Sequence, residues 1–254
     1  MSNDLMQLDM EQLELLAQQE LNQEASSRGG ATLISTRNGR MSLQGMPIPN
    51  DLIEVVILCA PIERLYYAEK FDGAALVPPD CSAMASMAQD LKPFDSSLKP
   101  QSDACEDCPQ NVWGSAGEGR KGKACRETRR IVFLTSDAVK ENGDPGAVPA
   151  YAIRPPVTSL SNWSTYVKTI AMTLRKPLFA VRTRIKLVPD AKNQFKMVFE
   201  FISEIKDQAT LIALMGRGQR EVAQLLAGPQ FQREDDTPTS STPATDPFGD
   251  DVPF

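Results

Sequence analysis

Apolar and polar residues alternate along this chain with two periods, and the switch from one period to the other marks its elements. Over residues 4–22, Leu5, Leu8 and Leu15 recur at helical spacing, with Leu13 and Leu16 beside them and no Pro or Gly, which predicts an acidic amphipathic helix. Residues 26–30 (Ser-Ser-Arg-Gly-Gly) read as a hinge. Over residues 32–43 two short β-prone runs flank Asn38-Gly39, a strong hairpin signal. Residues 53–60 form a continuous apolar run between Pro49 and Pro61, too short for a typical helix, which predicts a buried strand that includes Cys59. Residues 65–71 and 74–77 predict a strand pair turning at Asp72-Gly73. Residues 130–135 and 148–153 predict another around the turn-rich 141–146.

The later pattern is sharper. Residues 161–176 fit a helix with Ser161 as N-cap and Pro177 as its stop. In 179–188, Phe179, Val181, Thr183, Ile185 and Leu187 alternate with Arg182, Arg184 and Lys186. In 195–201, Phe195, Met197, Phe199 and Phe201 share one side, so the two runs predict a hairpin with one core face. Asp207 and Gly228-Pro229 bracket a closing helix over 207–227. Beyond Pro229 the Thr, Pro, Ser and Asp content supplies no core, which predicts disorder. The expected fold class is β-rich α+β, an OB-like barrel with flanking helices. Its parts are an acidic helix (1–27), a body (28–228) with an insertion at 78–129, and an acidic tail (229–254).

Charge changes this picture. The 254 residues carry a net charge of −6, but residues 1–27 and 234–254 each hold six acids and no Lys or Arg, so the stretch between them carries +6. A basic body between acidic ends points to a nucleic-acid partner. The chain has no His, which excludes Ser-His-Asp and Cys-His catalysis and imidazole metal sites. No apolar stretch reaches the ~18–20 residues of a membrane span, and Met1-Ser2-Asn3-Asp4 lacks the basic start of a signal peptide, so a soluble, cytoplasmic protein without a membrane partner is expected.

Four of the five cysteines, Cys81, Cys105, Cys108 and Cys125, follow a C-x23-C-x2-C-x16-C spacing within the insertion. A C-x2-C pair turns two thiolates onto one ion and two distant cysteines complete a tetrahedron, so one structural Zn2+ is the expected cofactor, with an iron–sulfur cluster or free thiols as alternatives. Such a metal would order a segment poor in apolar residues. Gly117–Ala124 matches the G-x4-G-K of a phosphate loop, but Ala124 replaces the hydroxyl that would hold Mg2+. The same residues read better as a basic loop, since Arg120, Lys121, Lys123, Arg126, Arg129 and Arg130 fall within eleven positions opposed by Glu127 alone. Between Pro145 and Pro189 stand Arg154, Lys168, Arg175, Lys176, Arg182, Arg184 and Lys186 without an acid. Bases at i, i+2 on a strand lie about 6.6–7 Å apart, near the spacing of successive phosphates on an extended strand. Tyr66, Tyr67, Trp113, Tyr151 and Trp163 are the candidate stacking platforms for unpaired bases, each weighed against a place in the core.

The chain ends Asp250-Asp251-Val252-Pro253-Phe254 after Asp246-Pro247-Phe248. This resembles the C-terminal tip of bacterial single-stranded DNA-binding proteins, where acids, an apolar residue, Pro and a terminal Phe follow a disordered linker. The overall plan is similar to the single-strand binders of tailed phages, some of which combine an OB-type barrel, a zinc-bearing insertion and an acidic tail. The resemblance implies a non-enzymatic protein that coats and protects single-stranded DNA in replication, recombination or repair, in the host cytoplasm if phage-encoded. It also implies that Asp250, Asp251, Val252, Pro253 and Phe254 dock replication and recombination proteins. The rival expectations are a DNA-binding cofactor that recruits RNA polymerase or a recombinase, and a nuclease or primase accessory using acids such as Asp137 and Asp144.

Overall fold

The computed structural model describes residues 31–69, 78–117, 122–141 and 143–228. The N-terminal helix expected over 4–22, the strand over 74–77, Arg120, Lys121 and the acidic tail lie outside the described residues. The fold is β-rich α+β, with a mostly open sheet and, among the described residues, two α-helices.

The long apolar run becomes β4 (Leu52–Cys59) at the centre of a six-stranded sheet. β8 (Ile131–Thr135) pairs antiparallel with one of its edges and β10 (Val181–Asp190) with the other. β9 (Tyr151–Ile153) adds beside β8, and β1 (Thr32–Ile34) adds beside β9 in parallel. β11 (Gln194–Glu204) forms the expected hairpin with β10. A continuous apolar strand needs cover on both faces, and β4 has it. Val55 and Ile57 face a core with Phe133, Ile153, Ile185 and Met197, whereas Val56 and Leu58 face one with Val132, Leu134, Ala152 and Leu214.

Each face has its helix. α1 (Leu160–Thr169, continued by a π-turn at Ile170–Leu174) sets Trp163, Tyr166 and Ile170 into the first core. α2 (Gln208–Leu226) sets Leu214 into the second. Asp207 caps α2 as expected, its carboxylate accepting from Thr210 N at 2.7 Å. α2 lies so close to β4 that a Cβ on Gly218 would stand 2.9 Å from the Leu58 carbonyl oxygen. Ser161 is not the cap of α1, because the helix begins at Leu160. Ser159 and Asn162 instead close the free edge of β11. Ser159 Oγ accepts from Met197 N at 2.9 Å and Asn162 Nδ2 donates to Met197 O at 2.9 Å.

The expected OB-like barrel is not seen closed among the described residues. Among the described residues β1 and β11 end the sheet without meeting, because helices rather than a returning sheet cover its two faces. Asn38 and Gly39 do take the left-handed conformation of a tight turn (φ 55° and 71°), and Ser35 and Ser42 bridge across it. β2 (Ser42–Leu43), however, pairs with β3 (Met46–Pro47) rather than with β1.

Beyond Ala60-Pro61 the β4–β8 ribbon bends into a second, three-stranded sheet. β5 (Ile62–Tyr66) lies at its centre, flanked by β6 (Cys81–Ala85) and β7 (Arg126–Arg129). β5 thus pairs with a strand that opens on Cys81. Arg130 links β7 directly to β8, its N–H donating to Pro61 O at 3.1 Å. Among the described residues no helix is long and apolar enough to cross a membrane.

Candidate metal centre and nucleic-acid interface

The three-stranded sheet carries the cysteines. Cys81 opens β6, Cys125 precedes β7, and Cys105 and Cys108 sit on the loop between, where Asn111 N donates to Cys108 O at 2.9 Å and Cys125 N to Gln110 O at 2.9 Å. All four line one cavity of about 10 Å³, together with Arg64 and Tyr66 from β5. That is about the room of one water or ion. Burial pushes the Cys81, Cys105 and Cys125 thiols up, Cys125 to about 12, and each is pushed further by neighbouring thiols of the same quartet. Arg64 acts against this at Cys105 and Cys125. Its Nη1 donates to Cys105 O at 3.1 Å, as does Asn111 Nδ2 at 2.9 Å, and its Nε and Nη2 hold Glu127 at 2.9 and 2.7 Å. Among the described residues no three or more His, Cys, Asp or Glu side chains are gathered in a metal-holding arrangement, so what the four thiols share is the cavity. Cys59 stands apart at the end of β4, pushed up to about 12 by burial and then by Glu221.

The same module presents an exposed surface. Trp113 is 74% exposed, and its loop is closed by Gly114 N donating to Gly122 O at 2.7 Å. Lys123 is exposed and donates to Asn111 Oδ1 at 2.9 Å, and Arg126 is exposed without an ion pair among the described residues. Arg129 is half-buried, which draws its guanidinium down against the opposing pull of Glu127. The phosphate-loop resemblance of 117–124 fails structurally as well, because 112–117 form a turn-rich loop rather than a strand leading into a helix.

Arg130 and Arg154, expected on the DNA face, converge on one buried carboxylate. Glu63 is 2% exposed; Arg154 donates Nε and Nη2 to it at 2.6 and 2.8 Å, and Arg130 donates Nη2. Burial alone would raise the Glu63 carboxyl, yet the hydrogen bonds and charge of Arg154, joined by Arg130, outweigh it and hold Glu63 below the usual carboxylate range. Sequence reasoning passed over Glu63. The available signal was an acid directly after Pro61-Ile62 at the start of a strand, with Arg130 just before one apolar strand and Arg154 just past another.

The basic face of β10 also differs from expectation. Arg182 donates to Ser136 O, to Ser136 Oγ at 2.7 Å and to Val139 O at 2.8 Å, so its charge holds a loop. Arg184 lies between Glu54 of β4 and Glu200 of β11, at 2.7 and 3.7 Å, because the register puts both acids directly across from it. Lys186 on the same face, and Lys168, Arg175 and Lys176 near the end of α1, have no ion pair among the described residues. Trp163 is a core residue, 6% exposed and edge-on to Phe199 at 5.2 Å, and offers no face to a base. Tyr151 is half-buried against Phe133, Tyr66 faces the thiol cavity, and Tyr67 is 43% exposed. Asp137 rims a shallow hollow with Glu54 and Arg182, whereas Asp144 closes its own turn by accepting from Gly146 N at 2.8 Å.

Comparison of the chain with protein families, with curated proteins and with solved structures finds no match.

Proposed function

We propose that this protein binds single-stranded DNA without catalysing its cleavage, using a module built round one structural Zn2+, and that its acidic C-terminal residues recruit replication or recombination proteins. The observation that carries this reading is the meeting, in one module, of four thiols on a one-ion cavity with an exposed Trp113 and the uncompensated Arg126. The donor set fits the metal. Four thiolates satisfy tetrahedral Zn2+ and leave no position for a reacting water, which makes the ion structural. Arg64, bound to the backbone of Cys105, offsets the negative charge the thiolates would gather.

An exposed indole accepts any base face, and surface bases neutralise phosphates without reading sequence. Arg126, Lys168, Arg175, Lys176 and Lys186 supply such contacts, because none of them is held by an acid among the described residues. Asp250, Asp251, Val252, Pro253 and Phe254 add the acidic, aromatic peptide that a partner's basic and apolar pocket would take.

The test is a titration of oligonucleotides against salt, beside metal analysis of the purified protein. One zinc per chain is expected, with affinity for single strands above that for duplex and a logarithmic salt slope of about −0.7 per phosphate neutralised. Equal affinity for duplex would favour the cofactor that recruits RNA polymerase or a recombinase. Strand cleavage with Mg2+ or Mn2+ would make the protein a nuclease.

A further inference from the structure

β5 separates two cavities. Its Arg64 and Tyr66 line the thiol cavity, and its Glu63 and Leu65, with Tyr67 just past its end, line a cleft of about 300 Å³ on the opposite face, closed by Phe94, Met84, Gln224 and Leu225. That volume is at the lower end of ligand-binding pockets, about 300–1,000 Å³. The floor is Arg130 and Arg154 around Glu63, two cations against one carboxylate. Glu221 on the far wall is already engaged by Arg217 Nε at 2.7 Å. Arg154 spends Nε and Nη2 on Glu63, and Arg130 spends Nη2. The Nη1 group of each has no partner among the described residues; Arg130 Nε has none there either, but it is fully buried. The floor therefore has one positive charge in excess and, among the described residues, one unpartnered Nη1 on each guanidinium, the charged donors that suit a phosphate. Tyr67, Leu65, Met84 and Phe94 give the walls the flat apolar character that a base needs.

We infer that this cleft seats one nucleotide of the bound single strand, its phosphodiester on the free edges of Arg130 and Arg154 and its base against the Tyr67 ring. This rests on the single-strand reading above and adds where the strand passes, between the cysteine module and the end of α2.

The experiment uses the exposed rim residue Gln224, whose side chain can carry either charge without disturbing the buried Glu63 cluster. Gln224→Glu and Gln224→Lys are compared with Gln208→Glu and Gln208→Lys at the other end of α2. Sixteen residues of helix place that control about 24 Å away, well beyond a screening length of about 8–10 Å. With oligothymidylate at moderate salt, Gln224→Glu should weaken binding about three- to fivefold and Gln224→Lys should strengthen it by a similar factor, as one added or removed phosphate contact would. The Gln208 pair should leave affinity within about 1.5-fold. An oligonucleotide carrying 5-iodouracil should photocross-link to Tyr67, and Tyr67→Ala should lose that adduct. If the wild-type chain binds the strand while both Gln224 variants match the Gln208 variants and cross-links fall outside the cleft, the cleft assignment is overturned and the single-strand reading stands. If the wild-type chain binds no oligothymidylate, both fall.

Discussion

The six-stranded body and the cysteine module share one pair of strands, since β4 runs into β5 and β7 into β8, yet they are held together by different physics. The body buries fourteen residues in the core beneath α1 and nine in the core beneath α2. The module's cluster has five, of which two are alanines and one is Cys105. At about 1.5–3 kcal/mol for each large apolar side chain buried, the body draws far more of its stability from apolar burial than the module does. The module relies on polar cross-links instead: Arg64 on Glu127 and the Glu63 cluster at the joint, with the four thiols set around one cavity. A chain can thus extend one hairpin from an oily environment into a polar one, provided that a different kind of bond takes over at the bend.

The sharpest way to break this comparison is at the thiols. If the proposed Zn2+ orders the module, Cys105→Ser, or treatment with a chelator, should expose residues 81–129 to proteolysis and amide exchange, because metal binding would then supply the ordering energy there. β4, β8 and β10 should stay protected. Equal loss of protection in both regions would show that the module contributes to the body's stability.

Next in size is the joint. Glu63→Gln removes the carboxylate that two guanidiniums share, and by analogy with broken buried ion pairs it should cost about 3 kcal/mol in urea denaturation. The pH dependence has a definite sign. Because the folded Glu63 carboxyl lies below the usual range, its contribution is complete above the unfolded value of about 4.3 and fades as pH falls from there through the folded value. The wild-type chain should lose more stability than Glu63→Gln between pH 5 and about pH 3. Parallel curves would remove Glu63 from the account.

Within the body, Gly218→Ala should cost about 1–3 kcal/mol, because the new methyl meets the Leu58 carbonyl oxygen, a backbone atom fixed in the central strand. A melting temperature unchanged from wild type would mean that α2 shifts freely on the sheet. The smallest effect belongs to the surface of β10. Arg184→Ala should leave stability nearly unchanged, since its partners Glu54 and Glu200 are both substantially exposed and solvent screens the pair. If the chain binds single strands as proposed, Arg184→Ala should also leave the salt slope of that binding nearly unaltered, whereas Lys186→Glu should alter it. The reverse outcome would return Arg184 to the binding face.

The legible elements were those whose side chains follow a simple period. β4 was visible as an unbroken apolar run, β10 and β11 by strict alternation, and α2 by its Asp207 cap. The cysteine quartet was visible through spacing alone. β6 was not, because Cys81-Ser82-Ala83-Met84-Ala85 has no period: both its faces line cavities, and small residues fit there irrespective of polarity. The fate of Arg184 was hidden because strand register decides which acids sit across from it, and a linear pattern does not contain register. Trp163 carried an ambiguity that only packing resolves, since the ring that could stack on a base stacks as readily in a core.

β5 leaves a constraint on evolution that neither cavity imposes by itself. Its residues are assigned to chambers by odd or even position, so the strand works as a two-column register in which address is parity. Inserting or deleting a single residue before Glu63 would exchange the columns, delivering a carboxylate among the thiols and the Arg64 guanidinium to the opposite chamber, while leaving the composition almost intact. Point substitutions in this strand can be judged one at a time, but length changes cannot. Among related chains, β5 should therefore vary in residue identity and keep an unvarying distance to the Pro61 bend.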